Sequence, residues 1–381
     1  MKPEQSLPDR YQRVVVKVGT NLLTAGTDRL DLEMMASLVG QIARLHGRGI
    51  EVILVSSGAI AAGRHRLGVK QDIKGIPFKQ VLAAVGQSRL MYAYDQLFSW
   101  HGIIVAQTLL TRADLSDRLR YLNARNTLLA LIELKVVGIV NENDVVAVDE
   151  IAEAKFGDND NLSAMVANLV DADLLIILSD VDGLYTADPR VDPNAQRIPY
   201  VERVDAGIES LAGGVGSDLG RGGMATKIEA ARLATCSGVG VVIAAGRETD
   251  VIGRLVRGER VGTYFSPRED RLESRKRWML SGLSVKGVIV VDDGARKALM
   301  GQGKSLLPAG IVDLRGNFQR GDSVTVVDTE GRKLAFGIAN YGHADLALIK
   351  GRHSDHIAEV LGYEYGDEIV HRNNLVVLAD N

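Results

Sequence analysis

VVGIVNENDVVAVDEIAEAKFGDNDNLSAMVANLV, residues 136 to 170, is the stretch whose reading decides the fold. Val136 to Val140 is an unbroken apolar run of strand length, the pattern of a strand covered on both faces in a parallel sheet. Leu162, Met165, Val166, Leu169 and Val170 then recur at i, i+3, i+4, i+7 and i+8, which marks one apolar helix face. Between strand and helix lie two polar clusters, Asn141 to Asp144 and Asp158 to Asn161. One Asx side chain is enough to cap a helix. Two clusters at a strand end and a helix start exceed that need, and in open α/β sheets such ends are where ligands bind.

Outward from this stretch the alternation continues. Arg13 to Gly19, RVVVKVG, reads as a first buried strand, with Lys17 inside a run whose two faces should both be covered. An ammonium there is better explained by a bound anion than by solvent. Leu32 to Leu45 marks an amphipathic helix, and Glu51 to Val55 the next strand. That strand runs into Ser56-Ser57-Gly58-Ala59-Ile60-Ala61-Ala62-Gly63, where small residues serve either close backbone approach to an anion or tight helix packing. Pro77 to Trp100 is a long helix, Gly102 to Leu110 a strand, Ser116 to Lys135 a helix and Asp173 to Leu178 another buried strand. Ser179 and Asp180 stand at its end. The Gly-rich stretch from Gly213 to Gly223 leads through Met224, Ala225 and Thr226 to Lys227 in the first turn of a helix, a phosphate-binding arrangement. Gly240 to Ala245 is expected to be the last strand of this domain. The sum is an α/β fold, a mainly parallel sheet sandwiched by helices.

Ser266 to Arg277 is charged and poor in apolar residues, so a linker is placed at 266–283 between a catalytic domain, 1–265, and a tail domain, 284–381. The tail has short strand patterns at Val288 to Val291, Gly310 to Leu314, Ser323 to Val327, Leu334 to Ala339 and Leu375 to Leu378, a β-barrel-like module. Within the tail Gly303-Lys304-Ser305 superficially suggests a P-loop, but Ala298 stands where that motif requires glycine. No G-x-G-x-x-G follows a strand, and no H-E-x-x-H is present.

The 381 residues are 46% hydrophobic and 24% charged with net charge −3, so nothing global attracts nucleic acid or an anionic membrane. No 18-residue apolar run and no apolar core in MKPEQSLPDR point to insertion or export, and a cytoplasmic protein is expected. The single cysteine, Cys236, excludes an internal disulfide and a cysteine-based zinc site. Two lysines on different elements, clustered Asp and Asn, and Gly-rich turns suit phosphate chemistry on a charged substrate.

At VVVKVGTN (14–21), VSSGAIAAG (55–63), NENDVV (141–146), FGDNDNLSA (156–164), LSDVDGLYTADPR (178–190) and GRGGMATK (220–227) the chain resembles the amino acid kinase family. The NEND and GDNDN pair resembles its glutamate-phosphorylating members, and the tail, with SLLPAGI at 305–311, resembles a PUA domain. The resemblance implies transfer of the ATP γ-phosphoryl group to the γ-carboxylate of L-glutamate, with Mg²⁺, as the first step of proline biosynthesis. It implies ATP contacts at Lys17, Ser179, Asp180, Arg221, Gly222, Gly223, Met224, Ala225, Thr226 and Lys227. Glutamate contacts are implied at Ser57, Gly58, Asp144 and Asn159. Asp160 would hold Lys17 and Lys227 in place for catalysis; no residue is assigned to Mg²⁺. A homo-oligomer, dimer or tetramer, and feedback inhibition by proline at the glutamate site are further expectations. On residue chemistry, Asp144 suits an α-ammonium, and Ser57, Asn159 and the Gly58 turn are expected to donate to an α-carboxylate. The alternatives are another amino acid kinase, acting on N-acetylglutamate, carbamate, aspartate or UMP, and an RNA-binding PUA protein. The tail's 11 Lys+Arg against 13 Asp+Glu disfavour the last.

Overall fold

The computed structural model describes residues 11–69, 75–147, 159–211, 223–267 and 285–378. The chain divides into two compact units, Met1–Leu115 with Thr127–Glu269, and Ser116–Asn126 with Asp270–Asn381. In the first, the strands are β1 (Arg13–Val18), β2 (Glu51–Ser56), β3 (Val105–Leu110), β4 (Val137–Glu142), β5 (Leu174–Ser179), β6 (Leu184–Tyr185), β7 (Arg197–Ile198), β8 (Tyr200–Val201), β9 (Gly240–Ala245) and β10 (Thr263–Phe265). The main sheet has the order β3-β4-β2-β1-β5-β9-β10-β8, and β6 pairs with β7 apart from it. Pairing is parallel from β3 through β9.

The centre of the sheet is where the sequence is most uniformly apolar and β-branched. Val14 to Val16 and Leu174 to Leu178 are fully buried, because helices cover both faces, the condition that makes strand sequences continuous instead of alternating. The helices are α1 (Thr20–Thr24), α2 (Leu32–Gly47), α3 (Ala59–Leu67), α4 (Ile76–Ser99), α5 (Arg112–Ser116), α6 (Arg118–Glu133), α7 (Asn159–Leu169), α8 (Ala206–Leu211), α9 (Met224–Cys236) and α10 (Val251–Val256). Among the described residues no helix is long and apolar enough to cross a membrane. The expectation that Gly240 to Ala245 ends the sheet is corrected: β10 adds antiparallel to β9, and β8 adds parallel to β10. Strands of two and three residues carry too few side chains to show a period in sequence.

The two explanations offered for the small residues at 56–63 divide between positions. Gly58 has φ +99°, a backbone open to glycine at no steric cost. Gly63 is a packing glycine. A Cβ there would lie 1.9 Å from Leu82 O, and one on Gly86 would lie 1.7 Å from Ala59 O, so α3 and α4 meet backbone to backbone. Gly86→Ala is therefore expected to destabilise the protein by about 3 kcal/mol, the upper range for overpacking a close-packed interior, read as a lowered denaturant midpoint at unchanged slope. A variant as stable as the parent would show that the two helices are free to separate.

In the second unit β11 (Gly287–Val291), β12 (Ile311–Gly316), β13 (Ser323–Asp328), β14 (Lys333–Ile338) and β15 (Leu375–Val377) form a mixed sheet in the order β12-β11-β13-β14-β15. All five lie where the tail's short apolar runs place them. Within this unit Leu122 of the segment Ser116–Asn126 is buried with Ile338 and Val376, and Arg118 Nη1 donates to Ser323 Oγ at 2.9 Å. The unit thus includes a helical segment that sequence leaves with the first domain, since a helix interior shows no break in composition. Gly303 closes α11 (Asp293–Gln302) in a left-handed conformation, φ +59°. Gly303-Lys304-Ser305 thus follows a helix, whereas a phosphate loop must precede one.

Candidate active site

The ends of β1, β2, β4 and β5 lie side by side in the sheet, and α7 begins among the residues they carry. Lys17, one residue before the end of β1, pairs in register with Val55 of β2 and Ile177 of β5. It is 2% exposed, as the unbroken valine run around it requires. Its Nζ lies 2.5 Å from Asp160 Oδ1. Lys227 Nζ, from the first turn of α9, lies 3.1 Å from Asp160 Oδ2, and Thr226 Oγ1 donates to the same oxygen at 2.9 Å. Asp160 is fully buried and Lys227 is 4% exposed. A carboxylate removed from water must be satisfied by protein donors, and here both its oxygens hold ammonium groups that arrive from different elements.

One residue earlier, Asn159 faces the β2 and β4 ends. Its Nδ2 donates to Ser56 O at 2.8 Å, Ser57 Oγ at 2.9 Å and Asn141 Oδ1 at 2.8 Å. Asn159 was expected to donate to an α-carboxylate; in this geometry both its amide hydrogens are engaged within the protein. Its Oδ1 accepts no hydrogen bond among the described residues. Donors for a carboxylate remain at the Ser57 hydroxyl, which accepts from Asn159 and keeps its own hydrogen. They remain also at the start of α3, where Gly58 supplies no side-chain cap.

Asp144 follows β4 in a turn and is half-buried, with no hydrogen bond or ion pair among the described residues. Burial pushes its carboxyl up to about 6. A desolvated acid without a partner is costly in a fold and useful in a binding site, where a cationic ligand supplies the partner.

Ser179 Oγ donates to Asp180 Oδ1 at 3.0 Å, and Asn21 Nδ2 to Asp180 Oδ2 at 3.4 Å. Burial alone would raise the Asp180 carboxyl. Hydrogen bonds from Ser179, its own backbone N–H and Asn21, with the Lys227 charge, outweigh that and hold it below the usual range. Gly223 is the N-cap residue of α9 with extended backbone, and Met224 and Ala225 open the helix at the surface. Arg221 and Gly222 lie outside the described residues, as does Asp158. Of the expected residues, the structure therefore gathers Lys17, Asp160, Thr226 and Lys227 into one cluster, and Ser57 and Asn159 into a second beside it.

Three participants were not among the expected site residues: Asn21, Asn141 and Gln87. Asn141 Nδ2 donates to Gln87 Oε1 at 2.8 Å, and Gln87 is 9% exposed on α4. A signal for Gln87 existed, since it shares a helix face with Ala83, Leu90 and Tyr94, all buried.

Residues 12–245 match the sequence pattern of the Amino acid kinase family. The chain belongs to the amino acid kinase family. Residues 287–361 match the PUA domain. Curated relatives include proteins named glutamate 5-kinase from Dehalococcoides mccartyi, 58% identical over 97% of this chain and 99% of that one. Those of Herpetosiphon aurantiacus and Moorella thermoacetica are 54% and 52% identical, each over 97% of this chain and 99% and 97% of their own. In this amino acid kinase the lysine pair on Asp160 and the amide cluster on Asn159 are therefore neighbouring halves of one candidate centre, joined by a single peptide bond.

Proposed function

We propose that this amino acid kinase transfers the γ-phosphoryl group of ATP to the γ-carboxylate of L-glutamate, forming the acyl phosphate with which proline synthesis begins. The observation that carries the reading is the pair of lysines held on Asp160, next in the chain to Asn159, whose amide bonds Ser57 and Asn141, with the partnerless acid Asp144 three residues beyond Asn141. The near-full-length relatives named glutamate 5-kinase support it.

The chemistry follows from the charges. A carboxylate is a nucleophile at neutral pH, so no general base is needed. The barrier is the repulsion between two anions and the negative charge that grows on the bridging oxygen as ADP leaves; fixed cations lower both. Lys17 and Lys227 supply them, aimed by Asp160. Asp144 accepts the α-ammonium, while Ser57 and the start of α3 donate to the α-carboxylate. Ser179 and Asp180 at the β5 end, with the Gly223 to Thr226 turn, fall to the nucleotide. Mg²⁺ supplies further charge neutralisation when bound. Among the described residues no group of three His, Cys, Asp or Glu could hold a metal; this ion is usually held by one or two carboxylates together with substrate phosphates.

Proline keeps an α-carboxylate and a cationic amine but has no γ-carboxylate, so it would occupy the same subsite unproductively. The deciding experiment traps the acyl phosphate with hydroxylamine in the presence of ATP and L-glutamate, beside aspartate, N-acetylglutamate and UMP. Hydroxamate is expected from glutamate, with proline inhibition that excess glutamate overcomes. Turnover of N-acetylglutamate or UMP in its place would overturn the assignment, because neither presents an α-ammonium to Asp144.

A further inference from the structure

The amide orientations around Asn159 are fixed by two backbone anchors. Ser56 O can only accept, so the Asn159 atom 2.8 Å from it is the nitrogen. The Glu142 N–H can only donate, so the Asn141 atom 2.8 Å from it is the oxygen, and that oxygen also takes an Asn159 hydrogen. Asn141 therefore turns its Nδ2 outward to Gln87 Oε1. The relay ends at Gln87 Nε2, which is buried and makes no hydrogen bond among the described residues. A buried amide with its donor unsatisfied costs about 1–3 kcal/mol. A leucine at this point of α4 would fill the same face without that cost. What glutamine adds is an acceptor for Asn141 Nδ2, which ties down the amide whose oxygen takes one of the two Asn159 hydrogens.

The outcome at the far end is an Asn159 whose free atom is the carbonyl oxygen. Asp144, three residues beyond Asn141, is likewise an acceptor without a partner. Each is an acceptor of the kind an ammonium group needs, since that group has three donors and no lone pair. An Asn159 turned the other way would present N–H groups to that cation and repel it. We propose that Gln87 is a positioning residue of the amino-acid subsite: through Asn141 it holds the Asn159 carbonyl oxygen toward the substrate's α-ammonium. This rests on the reading of the substrate as a free α-amino acid.

The test is steady-state kinetics on the full chain with hydroxylamine trapping. Gln87→Met keeps length and apolar bulk but removes the acceptor. It is expected to raise the glutamate KM about tenfold, the worth of one hydrogen bond to a charge-bearing network, while kcat and the ATP KM stay within about twofold. In an Asn141→Ala background the same change should add nothing, since coupled residues are non-additive. Gln87→Glu retains an acceptor for Asn141 and should hold the glutamate KM within about threefold of the parent. A purely structural role would instead lower thermal stability and move kcat and both KM values together, or act equally in both backgrounds; either result overturns the proposal. Should Gln87→Met fail to fold by circular dichroism, Gln87→Glu decides, and a tenfold rise in its glutamate KM overturns it. A parent chain that forms no glutamyl hydroxamate overturns the substrate reading and this proposal with it. An active parent beside an indistinguishable Gln87→Met overturns this proposal alone.

Discussion

Lys227→Ala is expected to lower kcat at least about a hundredfold, the loss typical of removing one preorganised charge from a developing anion, with a much smaller change in the glutamate KM. The ammonium sits 3.1 Å from Asp160 Oδ2 and is almost without solvent, so no water stands ready to replace it. On the proposed mechanism its work would be done on charge that exists mainly in the transition state, and such groups change kcat more than KM. Lys17→Ala should behave alike, because its Nζ holds the other oxygen of the same carboxylate. In each variant Asp160 retains one ammonium, so a folded protein is expected, checked by circular dichroism before kinetics. Unchanged turnover in a folded variant would remove that lysine from the mechanism.

Asp144→Asn is expected to act on the opposite parameter, raising the glutamate KM about a hundredfold or more, as truncating one member of a desolvated charge pair costs about 2–5 kcal/mol. The pH profile gives an independent reading. The ammonium requires the ionised carboxylate, and burial has moved that carboxyl up to about 6. The sign follows: above that pH the acid is charged and binds, while below it protonation removes the partner. In the parent, kcat/KM for glutamate should therefore fall by about tenfold per pH unit below the apparent pKa of the free enzyme. The Asn variant, uniformly weak, should lack this limb. A KM change confined to ATP, or a profile shared by parent and variant, would place the ammonium elsewhere.

Lys17 shows what sequence makes legible. A lysine inside RVVVKVG conflicts with burial on both faces, and only a partner at the strand end resolves the conflict; the structure supplies Asp160. The strand ends and the α7 start were legible for the same reason, since polar clusters interrupt apolar runs there. The direction of an amide was not. Asn159 reads equally well as donor or acceptor until its neighbours fix the rotamer, and those neighbours are 18 and 103 positions away along the chain. Gln87 was obscured differently: α4 has 24 residues, and one buried polar side chain on it resembles an ordinary irregularity of a long helix. The edge strands β8 and β10 escaped through brevity alone.

Asn159 and Asp160 are consecutive residues at the first turn of one helix, one bonded to Ser57 and Asn141 and the other to Lys17 and Lys227. Their separation is set by a planar trans peptide, with Cα atoms about 3.8 Å apart, and no hinge lies between them. On the proposed reading the pair would work as a calliper with a fixed gauge: a substrate would be measured from its α-carbon to its reacting carboxylate, and aspartate, one methylene short, would not fill both jaws at once. A missing methylene is worth about 10- to 200-fold in discrimination, and here rigid covalent spacing would enforce it without a closing lid.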